Sequence, residues 1–186
     1  IDIPDHVIIY GDGVRDSPVR TVFTYSGVGH QWTTGSANSR NTPNIAQIHI
    51  SDLALYATAP TVGKANISDT QSTYLTLRNV LCYGAMVCVI LDQSELSDID
   101  LCNFSCIDHA SSIGVWIKNE NAEGFTNRIS INRCQFNGPF SPVNGGVGIA
   151  DDGGYAHTFR DNNFNNLKYH VRASDVHSLL ISGGEA

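Results

Sequence analysis

The chain has 186 residues, with 18 Asp or Glu against 11 Lys or Arg and a formal net charge of −7. So few cations cannot line a basic stripe, which argues against a nucleic-acid partner. No apolar run approaches the ~20 residues that span a bilayer, so we expect no membrane insertion. The length suits a single domain over residues 1–186.

Strand-like runs at residues 7–13 and 21–25 open the chain and are separated by a loop with Gly and Pro. Polar stretches at 30–44 and 57–72 and a Pro- and Gly-rich stretch at 137–146 are predicted to be projecting loops.

A pattern of eight residues recurs along the chain at intervals of 24 to 30 residues, the period range of solenoids. Its first, third, sixth and eighth positions are mostly apolar, and its fifth is usually Asn or Asp. The alternation predicts two short strands, and Asn or Asp suits the bend between them. The copies are residues 48–55, 75–82, 99–106, 129–136 and 157–164, with bends at Asp52, Asn79, Asn103, Arg133 and Asp161.

Each run in a second set of strand-like runs follows one copy by about ten residues, and no stretch has helical periodicity. Three short strands per repeat predict an all-β, single-stranded, right-handed parallel β-helix of about six coils. Because solenoid ends need caps and none is evident at either end, we expect a fragment of a longer chain. The runs are residues 86–90, 113–117, 147–150 and 169–173.

The five cysteines contain no CxxC pair, so a zinc site is not expected. Cys82 and Cys106 fall at the same position of the pattern, and stacking would permit a disulfide if the geometry allows. Five free, buried thiols are the favoured interpretation.

Alternation in the second set of runs predicts that Val87, Val115, Ile149 and Val171 face inward. It predicts that Cys88, Trp116, Ala150 and Arg172 face outward. An exposed Trp beside polar groups is suited to holding a sugar, since its face covers C–H surface. Packing beneath a loop or in a subunit interface is the alternative.

Carboxylates gather just after these runs, with Lys118, Arg160 and Arg172 nearby. Glu95, Glu123 and Asp151 are each separated by about one coil, so stacking would align acids along one edge. Glycoside hydrolysis needs such a pair, whereas a lyase needs a base and a cation. A solvated acidic turn region remains the alternative. The other acids there are Asp92, Glu120 and Asp152.

His157 begins the last copy of the pattern and follows the Asp151-Asp152 pair by a few residues. It is a candidate base, although a histidine in an apolar position often has a structural role. The predicted catalytic residues are Glu123, Asp151, Asp152 and His157. The predicted substrate-binding residues are Trp116, Lys118, Glu120, Arg160 and Arg172, and no metal ligand is predicted.

The segment 3–13, Ile-Pro-Asp-His-Val-Ile-Ile-Tyr-Gly-Asp-Gly, resembles the coil-entry segment of the pectate-lyase-like β-helix superfamily. Together with the repeat, it is most similar to a bacteriophage tailspike or tail fibre. Asp151-Asp152 matches one polygalacturonase element, whereas Gly29-His30-Gln31 departs from the Gly-His-Gly of another.

The tailspike resemblance implies recognition, with or without depolymerisation, of a bacterial surface glycan by a homotrimer on a phage virion or elsewhere outside the cell. A secreted pectate-lyase or glycoside-hydrolase type enzyme and a structural spacer without a site are the alternatives. No cofactor is expected, except calcium if the protein is a lyase.

Overall fold

The chain forms a parallel β-helix in a computed structural model, which describes residues 1–4, 7–12, 21–34, 47–119, 126–139 and 146–184. Each coil contributes one strand to each of three parallel sheets. The described residues form six coils of three strands each, followed by one further strand. They contain no helix. The predicted all-β solenoid of about six coils is confirmed.

The strands are short, and every third strand along the chain belongs to the same sheet. The first sheet holds β1 (Val7–Tyr10), β4 (Ile48–Ser51), β7 (Leu75–Arg78), β10 (Asp98–Asp100), β13 (Ser130–Asn132), β16 (Gly154–Arg160) and β19 (Val176–Ser182). The second holds β2 (Val22–Tyr25), β5 (Ala54–Ala57), β8 (Leu81–Tyr83), β11 (Asn103–Ser105), β14 (Gln135–Asn137) and β17 (Asn163–Asn165). The third holds β3 (Trp32–Thr34), β6 (Ala65–Thr70), β9 (Val87–Asp92), β12 (Ile113–Lys118), β15 (Val147–Asp152) and β18 (Tyr169–Ala173).

The strand register corrects the sequence alignment at one copy of the repeat. Ile99 pairs with Leu77 and Ile131, so this copy begins at Ser97, two residues before the predicted start. A shift of two residues keeps Ile99 and Phe104 at apolar positions of the pattern, and apolar alternation therefore could not detect it. The bend is consequently at Leu101, and Asn103 is the first residue of β11.

The bend between the first and second sheets has the same backbone conformation in successive coils. Asp52, Asn79, Leu101, Arg133 and Asp161 all have φ between 52° and 58°. Asn and Asp tolerate this left-handed region, whereas Leu101 and Arg133 adopt it at a cost of about 1–2 kcal/mol per residue. The stacked coils therefore impose the bend even where the residue type does not favour it.

Side chains of the third sheet do not alternate strictly between the inward and outward faces at the start of each strand. Cys88 and Val89 are consecutive, and both lie in the main core with Val115 and Ile149. Val87 instead belongs to a separate apolar cluster. The predictions of an inward Val87 and an outward Cys88 were therefore wrong, because two consecutive residues, Cys88 and Val89, both face the main core.

Two predicted loops contain strands of the third sheet. Within the predicted loop 57–72, β6 has buried Asn66 and Asp69 where the next coil has Cys88 and Leu91. Asn66 donates to the carbonyl oxygens of Leu55 and Tyr83, and Asp69 accepts hydrogen bonds from hydroxyl groups. Hydrogen bonds satisfy the Asn66 amide NH₂ group and the Asp69 carboxylate, so these polar residues can occupy core positions that the hydrophobic pattern cannot recognise.

The loop predicted at 30–44 includes β3, and the one predicted at 137–146 begins with the last residue of β14. The remaining parts, 35–44 and 140–145, lie outside the described residues.

All five cysteines are free and buried, as favoured from the sequence. Cys82 pairs in register with Phe104, so it does not share its position with Cys106. Burial raises the pKa of the Cys82, Cys88 and Cys134 thiols well above the usual range and that of Cys106 to about 11.

We expect alkaline pH to destabilise the fold through these thiols. Their pKa values are raised on folding, so above about pH 9 the unfolded chain loses protons that the folded chain retains. The free energy of unfolding should therefore fall from about pH 9 to about pH 11. Urea midpoints measured across this range test the sign, and Cys106→Ala should reduce the slope. An unchanged slope in that variant would contradict the assignment.

Candidate functional site

Trp116 stands on the outer surface of the third sheet, as predicted. It pairs in register with Ile90 on one side and Ala150 on the other, and Ala150 pairs with Arg172. The indole is half-buried because it packs against a separate apolar cluster on this sheet. The members of that cluster are Ala65, Val87, Ile90, Ile113, Val147 and Ala150.

A polar group surrounds the other side of the indole. Asp152 accepts a hydrogen bond from Trp116 Nε1 at 2.7 Å through its Oδ2 atom, and another from Arg172 at 3.0 Å. Its Oδ1 atom accepts from Ser174 Oγ at 3.0 Å. Lys118 Nζ lies 4.5 Å from the centre of the Trp116 ring. We call Trp116, Lys118, Asp152, Arg172 and Ser174 the Trp116 cluster.

The parallel register explains why these residues meet. Lys118 pairs with Asp152, two residues beyond the Trp116 and Ala150 pair. Asp152 is therefore diagonal to both Trp116 and Arg172, within reach of long side chains. Its side chain is 29% exposed and that of Arg172 46%, so the cluster remains open to solvent.

The Trp116 cluster combines the groups that recognise an amphipathic ligand. The indole supplies apolar surface, while an ammonium, a guanidinium, a hydroxyl and a carboxylate supply donors and acceptors. The Lys118 ammonium lies within the ~6 Å at which cations are attracted to an aromatic face. With two cations and one anion, the cluster is compatible with hydroxyl-rich ligands.

His30 is a functional candidate that the sequence analysis missed. Its Nδ1 atom accepts a hydrogen bond from the Ala65 backbone N–H at 3.1 Å. Desolvation, followed by the charges of Lys64 and Lys118, lowers the pKa of His30. The imidazole is thus favoured in its neutral form near the Trp116 cluster. Its position in a predicted loop gave no periodic signal.

Asp151 and His157 also come together, but inside the solenoid. Asp151 pairs with the inward Ile117, and its Oδ2 atom lies 2.9 Å from His157 Nδ1. Both side chains are fully buried. His157 Nε2 faces the Thr126 carbonyl oxygen at 3.4 Å. A ligand on the outer surface cannot touch these side chains, so the geometry gives the pair a structural position.

The predicted acidic edge does not form from Glu95 and Asp151. Glu95 pairs with Thr73 and Asn127, in the turn that leads into the first sheet. Equal spacing in sequence did not produce equal position, because the connecting segments differ in length between coils. Glu120 and Glu123 lie outside the described residues.

Arg160 is also separate from the Trp116 cluster. It is exposed at the end of β16 in the first sheet, where it pairs with Asn132 and Ser182. Four of the predicted site residues are therefore brought together: Trp116, Lys118, Asp152 and Arg172.

The described part of the chain contains neither a candidate metal-binding cluster nor a candidate membrane-spanning helix. No group of three or more His, Cys, Asp or Glu side chains in it could hold a metal ion. The same residues include no helix long and apolar enough to cross a bilayer.

The fold and the Trp116 cluster are the two features of this chain that bear on its function. Three parallel sheets and a recurring coil pattern make the architecture a parallel β-helix. No protein-family model, curated protein or solved structure matches this chain with significant similarity.

Proposed function

We propose that this chain is the polysaccharide-recognising β-helix module of a tailspike-like host-adhesion protein, which binds a bacterial surface glycan at the Trp116 cluster. The observation that carries the proposal is the partly exposed Trp116 indole on the outer surface of the third sheet. The Lys118 ammonium, the Arg172 guanidinium and the Asp152 carboxylate lie around it. Saccharides have apolar C–H faces and many hydroxyl groups, and this combination complements both.

Preorganisation of the indole supports this function. The apolar cluster holds one side of Trp116, and the hydrogen bond to Asp152 fixes its edge. An aromatic side chain that is already positioned loses little conformational entropy when a ligand binds. Lys118 has a long flexible stem, so its ammonium group can move from the ring to a ligand oxygen.

The dimensions of the surface suit a polymer. Trp116 and Arg172 lie two coils apart along the solenoid axis, with the buried Ala150 between them. Because neighbouring strands lie about 4.8 Å apart, their backbones are about 9.6 Å apart. A glycan lying along the axis could contact the indole and the Arg172 guanidinium simultaneously.

The proposal also includes assembly and location. The resemblance to tailspikes implies a homotrimer that acts on a phage virion or in another extracellular setting.

Depolymerisation is a second candidate function, and one pair of carboxylates favours it. Asp92 and Asp152 each pair with Lys118 from opposite sides. Two strand spacings put their backbones about 9.6 Å apart, with Lys118 between them. Inverting glycosidases likewise use two carboxyl groups on opposite sides of the bond that is cleaved. A lyase would instead use Lys118 or Arg172 to stabilise developing negative charge. Release of reducing ends indicates a hydrolase, and new unsaturated uronates indicate a lyase.

We expect Trp116→Ala to weaken glycan binding about tenfold or more, because it removes the apolar platform. Trp116→Phe should weaken binding less, since it keeps a ring but loses the donor to Asp152. Binding to a panel of bacterial surface polysaccharides can be measured by biolayer interferometry, with thermal unfolding as the check on folding.

Tyr155→Ala is the matched control, since it removes an exposed aromatic ring from the first sheet. It should leave glycan affinity unchanged. Equal losses in the Trp116 and Tyr155 variants would argue against the cluster as the site. If the unaltered chain binds no polysaccharide of the panel, the spacer interpretation is favoured and the proposal fails.

A further inference from the structure

A cleft of about 330 Å³ opens on the outer surface of the first sheet, away from the Trp116 cluster. Ile8, His49 and Thr76 lie side by side across it, because β1, β4 and β7 pair in register. Gln47 and Tyr74 also line it, each one residue before a paired position. Three successive coils thus build the cleft.

The polar side chains of this cleft are available to a ligand. Among the described residues, Gln47, His49 and Thr76 have no hydrogen-bonding partner for their side chains. The three can offer an amide, an imidazole and a hydroxyl group, which include both donors and acceptors. Such groups converging on a concave surface are typical of ligand sites.

Two apolar surfaces accompany these groups. Tyr74 is 43% exposed and Ile8 is 71% exposed, and both line the cleft. Tyr74 has φ of 68°, in the left-handed region shared with Leu96 and Arg128 in the equivalent turns of later coils. The repeated turn therefore sets the position of the aromatic ring.

The charges indicate the class of ligand. None of the described lining residues is Asp, Glu, Lys or Arg, in contrast to the Trp116 cluster. An ionic ligand would find no fixed countercharge there, whereas a neutral, hydroxyl-rich ring would find both hydrogen-bonding groups and an aromatic surface. The volume lies at the lower end of the ~300–1,000 Å³ range of small-ligand pockets.

We propose that the cleft formed by Ile8, Gln47, His49, Tyr74 and Thr76 binds one or two neutral sugar units. This site is additional to the Trp116 cluster and lies on a different sheet, so either site can fail without the other. The solenoid would therefore carry two carbohydrate-binding sites.

The test is an NMR titration of the folded protein with neutral oligosaccharides of glucose, galactose, mannose and rhamnose. We expect the signals of the His49 imidazole and the Tyr74 ring to shift on binding of at least one of them. Tyr74→Asn removes the ring and keeps a residue that tolerates positive φ, so it should weaken binding about tenfold. Thr76→Val should also weaken binding.

Thr158→Val is the matched control, because Thr158 lies in the same outward column, three coils from Thr76. It should leave both the shifts and the affinity unchanged. Trp116→Ala separates the two sites, since it should not alter shifts at His49. The inference is overturned if no neutral oligosaccharide shifts these signals, if only acidic sugars do so, or if Thr158→Val and Thr76→Val have equal effects.

Discussion

Replacing Phe136 with alanine should lower the free energy of unfolding by about 3–5 kcal/mol. Phe136 is fully buried, and its ring centre lies 5.1 Å from that of Phe104 and 5.0 Å from that of Phe164. The variant would lose both ring contacts and leave a cavity between two coils. Chemical denaturation followed by circular dichroism would measure the change.

The packing opposite Phe136 leaves little room for compensation. A Cβ atom on Gly114 would lie 2.6 Å from the Phe136 ring and 2.6 Å from the Gly148 carbonyl oxygen. The glycine thus allows the third sheet to approach the ring closely, and the backbone cannot readily close the cavity. Phe136→Leu should recover part of the stability, because it refills some of the volume.

Phe23→Ala provides the control, since Phe23 belongs to the first coil and is 37% exposed. It should cost clearly less than Phe136→Ala. Similar costs for the two variants would mean that the central ring stack does not dominate the stability of the solenoid. Because Phe136 shares its coil with Asp152, a destabilised stack should also weaken glycan binding at the Trp116 cluster.

Replacing Asp151 with alanine should have a comparable effect, a loss of about 3–5 kcal/mol in the free energy of unfolding. The carboxylate is the partner of a completely buried His157. Without it, the imidazole loses a hydrogen bond that water cannot replace at this depth. Urea denaturation of the single variant at neutral pH would measure this loss.

A double variant, Asp151→Leu with His157→Leu, distinguishes the loss of one partner from the removal of the whole buried pair. Asp151 lies between Ile117 and Ala173, and His157 pairs with Leu179, so apolar neighbours are already present. Replacing a buried polar pair by apolar residues often preserves stability. The double variant should therefore be more stable than Asp151→Ala, and equal losses would show that the two side chains are not coupled.

Asp152→Ala is the natural control, since it alters the adjacent carboxylate on the outer surface. Its exposed ion pair with Arg172 should contribute only about 0–1 kcal/mol to stability. Glycan binding should respond in the opposite way, falling in Asp152→Ala and persisting in the folded double variant. Turnover that requires Asp151 would contradict this division between structural and binding residues.

Several parts of the fold could be predicted because they depend on local periodicity. Alternating apolar residues specified the strands around Ile48, Leu75 and Ile129, and the regular spacing of the runs predicted their stacking. The start of the copy at Ser97 could not be predicted, because a shift of two residues preserves the buried face. The strand β6 was missed because hydrogen bonds replace apolar contacts at Asn66 and Asp69.

The candidate site was predictable to the extent that it lies on the regular part of a strand. The outward placement of Trp116 and Arg172 could be predicted because both lie on regular paired strands, and Lys118 lies two residues beyond Trp116. Asp151 and Asp152 are adjacent in sequence but differ completely in environment, since alternation turns one inward and the other outward. Which of the two faces solvent depends on the register of β15.

By itself, the amino-acid sequence determined the solenoid, its period and the presence of an aromatic and polar group on the third sheet, because these follow from repeated short-range patterns. Only the tertiary structure decided that Asp152, and not Asp151, joins Trp116, that His157 is enclosed, and that Ile8, His49 and Thr76 form a cleft. The physical reason is that connecting segments of unequal length set which residues stack, and stacking, unlike alternation, has no signature within a single coil.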